Sequence, residues 1–372
     1  MINPKIAIVC DWLVSRGGAE RVIKAISDMF PHAPIYTAIY NKKRLPEFAD
    51  REIVTSFIQK LPLAQTKHYA YLPLMPYAFE NFDLSKFDIV ISSSHSCAKG
   101  IITKPQTLHV CYCHSPMRYA WDSCHKYFEQ FGVPSFLRNR AKKILHELRI
   151  WDRLAAERVD SFIANSEHVK KRIWKYYKKD STVIYPPVET KMFGIKKSAL
   201  NEQYFLAVGR LTPYKRFDLL IDVFNDLNLP LVIVGTGKDE KNLKKRAGRF
   251  ITFLGTIPDD ELSDVYSRAR ALIFPQSEDF GIIPLEAFAC GKPVIAFGDG
   301  GALETIIPGE TGLFFYEQTH ESLKKAVLEF SAMKWDAEHI RKHAEKFDRA
   351  IFEKNLKNFI TEKWTEWRQK MT

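Results

Sequence analysis

Short β-branched runs recur along the chain, each followed by a Gly- or Ser-rich turn and then by apolar positions at helical spacing, which is the signature of βα units building a parallel sheet. In the first half, Lys5–Cys10 leads into Ser15-Arg16-Gly17-Gly18-Ala19-Glu20 and a predicted helix reaching Phe30. Phe87–Ser93, Thr107–Tyr112 and Ser161–Ala164 read as further strands. In the second half, Tyr204–Val208 precedes Gly209-Arg210, and Leu231–Val234 precedes Gly235-Thr236-Gly237. Ala271–Phe274 precedes Pro275-Gln276-Ser277, and Val294–Phe297 precedes Gly298-Asp299-Gly300-Gly301. The predicted fold class is α/β, with two doubly wound Rossmann-like domains facing a cleft.

A strand-like Thr182–Tyr185 runs into Pro186 and Pro187, which cannot continue a helix, so a linker is expected from there to about Leu200. The expected division is an N-terminal domain over 1–188, a C-terminal domain over 189–349 and a terminal helix over 350–372. In that helix Ile351, Leu356, Phe359, Ile360, Trp364 and Trp367 form an apolar stripe expected to pack back on the body, toward the N-terminal domain.

The length of 372 residues supports this division, because it exceeds what a single hydrophobic core usually serves. No apolar run approaches the roughly 18 to 20 residues that span a bilayer. The first residues also lack the apolar core of a signal peptide, so a cytoplasmic location is expected. Six scattered cysteines suit reduced thiols. Cys111, Cys113, His114, Cys124 and His125 lack the paired two-residue spacings of structural zinc sites, and no metal is expected.

Charge adds a second asymmetry. The net charge is +11, and residues 1–190 carry 28 Lys and Arg against 18 Asp and Glu, which leaves the second half nearly neutral. Much of the excess lies in Arg138, Arg140, Lys142 and Lys143 and in Lys170, Lys171, Arg172 and Lys175, with Trp151, Trp174, Tyr176 and Tyr177 interleaved. This mixture fits an interfacial patch on anionic lipid, or equally a solvated helix face. No nucleic-acid-binding motif accompanies it, so nucleic acid is not expected as a partner.

Candidate chemistry clusters after strands. In Gln276–Pro293, Glu278 sits on a strand-end loop and Glu286 inside the following helix. The amides of Asp279, Phe280, Gly281, Ile282 and Ile283 open that helix toward a phosphate or a hydroxyl-rich ligand. A carboxylate can accept hydrogen bonds from vicinal hydroxyls, which suits Glu278 to a sugar and Glu286 to a ribose. Read singly, they could equally be a capping acid and a solvated helix residue. Arg210 and Lys215 follow the strand Tyr204–Val208 and could hold a diphosphate as it leaves. Gly17 and Gly18 open a helix and permit close approach of backbone to ligand. His114 follows the strand Thr107–Tyr112 and precedes Pro116, which fits a site residue or a structural histidine.

Together these motifs resemble the retaining GT-B glycosyltransferases of family 4. The resemblance rests on the Glu278/Glu286 pair, Gly209-Arg210-Leu211 with Lys215, Gly17-Gly18-Ala19-Glu20, and His114, in that family's order across both domains. Cys113-His114-Ser115-Pro116-Met117-Arg118-Tyr119-Ala120-Trp121-Asp122 is similar to a segment of bacterial mannosyltransferases of O-antigen and exopolysaccharide assembly.

The resemblance implies that Arg210 and Lys215 hold the donor diphosphate, Glu286 its ribose, and Glu278 with the amides of Asp279–Ile283 the transferred sugar and phosphate. Gly17 and Gly18 would close over the diphosphate, and His114 would contact the donor sugar. It also implies no cofactor or metal, and a front-face reaction in which the leaving diphosphate accepts the acceptor's proton.

The expected partners are GDP-mannose, a polyprenyl-diphosphate-linked glycan and an anionic membrane surface, with the protein peripheral on the inner face of the plasma membrane. Transfer from a UDP- or TDP-sugar, a non-catalytic nucleotide-sugar-binding protein and a GT-B epimerase are the competing readings. Asp279 stands where many relatives carry Pro or Gly, which bears on sugar preference.

Overall fold

The computed structural model describes residues 4–122, 136, 138–194 and 204–371. Two compact units divide the chain. The first comprises Met1–Pro187 and Phe352–Thr372, and the second Val188–Ile351.

Seven parallel strands form the sheet of the first unit: β1 (Ile6–Cys10), β2 (Ile35–Thr37), β3 (Ile53–Thr55), β4 (Ile89–Ser94), β5 (Leu108–Cys113), β6 (Ser161–Ala164) and β7 (Ser181–Val183). Their order is β3-β2-β1-β4-β5-β6-β7. Every residue of β4 and β5 is buried, because helices cover both faces of a parallel sheet. That is why these strands read as continuous apolar runs rather than as alternations. The strands β2 and β3 escape sequence reading because three residues are too few to carry a period.

The C-terminal helix Arg349–Met371 adds Phe352, Leu356, Phe359 and Ile360 to the core that holds Ile8, Ile26, Ile35 and Ile91. Burial of side chains of this kind stabilises by roughly 1.5–3 kcal/mol each, so the helix is integral to the first unit. Near its end, Trp367 Nε1 donates to the Gln106 carbonyl at 3.0 Å.

The second unit carries β8 (Tyr204–Val208), β9 (Leu231–Val234), β10 (Ile251–Gly255), β11 (Ala269–Phe274), β12 (Val294–Phe297) and β13 (Gly312–Phe315). All are parallel, in the order β10-β9-β8-β11-β12-β13. In each sheet the winding direction reverses beside the unit's first strand, between β1 and β4 and between β8 and β11. Ligands of such sheets gather beyond the carboxyl ends of the strands at this reversal. Among the described residues no helix is long and apolar enough to cross a membrane.

Candidate functional site

In the second unit, the turns after β8 and β9 pack backbone against backbone. A Cβ on Gly235 would meet the Gly209 carbonyl oxygen at 2.0 Å, and one on Gly237 would meet the Leu211 oxygen at 2.1 Å. Gly209 and Gly235 also take positive φ angles of 151° and 127°. These glycines let the Gly209–Lys215 turn lie flat beside its neighbour, with Arg210 exposed and Lys215 buried.

Lys215 Nζ lies 3.0 Å from Glu278 Oε1. The contact is ionic rather than a directed hydrogen bond, since Glu278 Oε1 has no aligned donor among the described residues. The Glu278 backbone is itself pinned, because Gly301 N donates to the Glu278 carbonyl at 2.9 Å and a Cβ on Gly300 would strike that oxygen. Gly281 caps the helix Ile282–Ala289 with φ +88°, so the segment Asp279–Ile283 leads directly into that helix's first turn. Glu286 is buried, and its Oε2 accepts from the Tyr266 hydroxyl at 2.9 Å. Of the predicted cations and carboxylates of the C-terminal half, Lys215 and Glu278 meet at the ends of β8 and β11, whereas Arg210 is exposed after β8 and Glu286 is buried within its helix against Tyr266.

In the first unit, Gly17 caps the helix Gly18–Met29 in extended conformation, and a Cβ there would lie 2.8 Å from Glu20 Oε2. His114 directly follows β5. Its amide donates to Ser94 O at 2.9 Å, and its Nε2 lies 2.8 Å from Ser93 Oγ. The segment after it is held by polar side chains, of which Arg172 and Ser115 are buried. Arg172 donates to Ser115 Oγ at 2.7 Å and pairs with Asp122, and Arg149 Nε donates to Ala120 O at 2.8 Å.

Asp152 anchors the same segment. Its Oδ2 accepts from Trp121 Nε1 at 2.8 Å and from the Tyr177 hydroxyl at 2.7 Å, while its Oδ1 pairs with buried Lys99. Burial pushes the Lys99 ammonium down, but the Asp152 carboxylate more than offsets that and raises it. Buried charges persist in this way only when paired and hydrogen-bonded.

Arg172 therefore corrects the expected surface patch. It is 7% exposed and braces the segment after His114, because its helix Glu167–Tyr177 turns Val169, Arg172 and Ile173 inward. Arg138, Arg140, Lys142, Lys143, Lys171 and Lys175 are exposed, while Lys170 is half-buried and pairs with Glu167 at 3.4 Å. Of the residues considered for zinc, Cys111 and Cys113 are buried strand residues, and Cys124 and His125 lie outside the described residues. No group of three or more His, Cys, Asp or Glu among the described residues is arranged to hold a metal.

Sequence reading missed Asp11 and His95. Asp11 follows β1, and its carboxylate accepts from the amides of His95, Ser96 and Ala98 at 2.7, 2.9 and 2.7 Å. His95 Nδ1 lies 3.1 Å from Asp11 Oδ2. No local motif joins residues 84 positions apart, so the only available signal is that Asp11 directly follows a predicted strand and His95 lies two positions past another.

Two doubly wound parallel sheets, each bearing its polar residues at the strand ends, define the GT-B class of glycosyltransferase fold. The family model for glycosyl transferases group 1 matches residues 188–347, and the model for glycosyltransferase family 4 matches residues 16–192. The chain belongs to family 4 of the glycosyltransferases.

A D-rhamnosyltransferase of Pseudomonas aeruginosa is 31% identical over 176 residues, 45% of this chain and 46% of that relative. An O-antigen chain mannosyltransferase of Salmonella typhimurium is 34% identical over 155 residues, 38% and 43% of the two chains. The chain spans about half the length of the curated relatives it matches. The crystal structure of Anabaena HepE in complex with UDP and glucose shares the fold, with a TM-score of 0.72 at 18% identity over 96% of this chain and 100% of that one.

Proposed function

We propose that the protein is a retaining, metal-independent hexosyltransferase that takes mannose from GDP-mannose and delivers it to a polyprenyl-diphosphate-linked glycan. The observation that carries this reading is the meeting of Lys215 and Glu278 at the strand ends, beside the helix opened by Gly281. A cation beside a hydroxyl-binding carboxylate and a helix N-terminus matches a sugar joined to a diphosphate.

In this reading Arg210 and Lys215 stabilise the negative charge that builds on the diphosphate as the bond to the sugar breaks. Glu278 and the amides of Asp279–Ile283 orient the sugar and its phosphate, and Glu286 holds the ribose. From the first unit, His114 contacts the donor sugar, and Gly17 and Gly18 approach the diphosphate. Likeness to an O-antigen mannosyltransferase supports mannose. Transfer of a rhamnosyl unit is the second reading, supported by likeness to a D-rhamnosyltransferase.

The exposed cations Arg138, Arg140, Lys142, Lys143, Lys171 and Lys175, with the 58% exposed Trp174, would dock the protein on anionic lipid at the inner face of the membrane.

Thermal-shift measurements with GDP, UDP, ADP and TDP and their sugar conjugates test the donor, since a ligand of the native state raises its apparent stability. Selective stabilisation by GDP and GDP-mannose is expected. A preference for UDP or TDP would remove mannose from the reading, and silence across the panel would remove the transferase.

A further inference from the structure

The segment that follows β3 is apolar on its outer side as well as its inner one. Inward, Ile58, Ala64, Leu72 and Met75 join the core that also holds Val9 and Val90. Outward, Phe57, Leu63, Tyr69, Leu74 and Tyr77 are exposed, Leu63 by 62% and Tyr77 by 61%. The outer side is braced, since the Phe57 and Tyr77 rings meet edge-on at 5.7 Å and the Tyr71 hydroxyl donates to the Pro62 carbonyl at 2.6 Å. Leu63 also takes φ +55° ahead of the short helix Ala64–Lys67. That left-handed conformation suits glycine or asparagine and disfavours leucine. Neither the backbone nor the core accounts for an apolar side chain there, so its partner lies outside the chain.

Charge identifies that partner. The chain carries 44 Asp and Glu, yet none lies between Glu52 and Glu80, where Lys60 and Lys67 are both exposed. The basic helix Arg138–Glu157 packs Leu145 and Leu148 into the same core, and its Trp151 Nε1 donates to Glu80 Oε1 at 2.8 Å. The apolar segment and the exposed cations Arg138, Arg140, Lys142 and Lys143 are thus carried on one face of the sheet, opposite to the C-terminal helix. Protein interfaces are depleted in lysine, whereas an anionic bilayer favours lysine and arginine beside aromatic and aliphatic side chains. Phe57 after β3 and His114 after β5 leave the same edge of a parallel sheet, and the Tyr69 ring lies 5.8 Å from that of Trp12, which follows β1. The patch therefore borders the strand ends that carry the candidate residues of the first unit.

We infer that Phe57, Leu63, Tyr69, Leu74 and Tyr77 insert into the headgroup region of an anionic bilayer, with Lys60, Lys67 and the cations of Arg138–Glu157 held at its surface. The cations attract the protein, and the apolar side chains retain it with the carboxyl ends of the first sheet toward the lipid. This inference rests on the membrane-docking reading and assigns its apolar half.

Flotation of the full-length protein with vesicles of phosphatidylethanolamine and phosphatidylglycerol tests it at low salt and at about 1 M salt, where charges are screened beyond roughly 3 Å. Wild type should float in both, less at high salt. A triple variant, Leu63→Ser with Leu74→Ser and Tyr77→Ser, should lose at least about tenfold in high-salt retention, since one inserted apolar side chain is already of that order. Its circular dichroism and its donor-induced stabilisation should match wild type, because all three side chains are exposed. In a second variant, Leu63→Trp, vesicles of brominated lipid should quench more tryptophan emission than in wild type.

Equal high-salt retention of wild type and the triple variant, or no added quenching in Leu63→Trp, overturns the inference while leaving docking by the cations in place. Loss of a wild-type dimer in the triple variant with unchanged flotation overturns it in favour of a contact between two copies. Failure of wild type to float at either salt removes the docking reading, and this inference with it.

Discussion

Lys215 and Glu278, 63 positions apart in sequence, face each other at 3.0 Å across the carboxyl ends of two neighbouring strands of the second unit. Lys215 is largely buried, and its side chain is held below Gly209, where a Cβ would come within 3.3 Å of Nζ. In the proposed reading, an ammonium fixed in this way would meet the donor diphosphate, whose charge would draw it from the carboxylate and leave Glu278 to bind hydroxyls.

From this pairing, Lys215→Ala and Arg210→Ala should each lower kcat/KM by about 10²-fold or more, equivalent to roughly 2.7 kcal/mol of lost transition-state stabilisation, while the circular dichroism spectrum stays native. Turnover at the wild-type rate in either variant would sink the assignment of diphosphate binding.

The turns behind Lys215 carry a second expectation. Gly235→Ala would drive a Cβ into the Gly209 carbonyl at 2.0 Å and force an L side chain into φ +127°. Strain of this kind costs about 1–3 kcal/mol before the clash is counted. Nucleotide-induced stabilisation should therefore fall with Gly235→Ala. Gly309→Ala offers a comparison, because it shares a positive φ of 80° but has open space around its Cβ. Equal losses in the two variants would show that the turn packing does not shape the site.

Arg172 and its exposed neighbours should separate two roles carried by one helix. Arg172→Ala removes the donor to buried Ser115 and the partner of the exposed Asp122, a loss of about 1.5–3 kcal/mol for a hydrogen bond to a charged group, and should lower the unfolding midpoint along with transfer. Lys171→Glu with Lys175→Glu should leave the midpoint in place and weaken retention by liposomes containing anionic lipid at low salt. If the double charge reversal binds liposomes as well as wild type, the membrane-docking patch is elsewhere or absent.

His109 links the first unit to pH. It is fully buried in β5, with Nε2 2.8 Å from Ser92 Oγ, and burial pushes its pKa down to about 4 from an ordinary 6.5. The unfolded chain binds the proton first as pH falls, so the stability contribution is present above pH 6.5 and is lost progressively toward pH 4. A shift of this size corresponds to roughly 3 kcal/mol. Urea titrations should show wild type losing more stability than His109→Gln between neutral pH and pH 4, and parallel losses would contradict a neutral buried His109.

Much of the fold was legible because a βα unit writes itself locally. The runs Ser161–Ala164, Tyr204–Val208, Leu231–Val234 and Val294–Phe297 are strands with those bounds in the structure. The apolar stripe Leu356, Phe359 and Ile360 marked a helix that packs back on the body. Strands of three residues, such as Ile35–Thr37 and Ile53–Thr55, carried no period to read.

Residue type and spacing along the chain determined the parallel sheets, the glycine turns after the strands and the motifs that place the protein in family 4, since each depends on backbone preferences over a few neighbours. Pairing across the chain was decided only by tertiary structure. The sheet order brings β1 beside β4, and with it Asp11 to His95, while the packing of helices on the first sheet turns Arg172 inward and joins Lys99 to Asp152. A buried charge is stable only beside its partner, and that partner is chosen by the winding of the sheet rather than by distance along the chain.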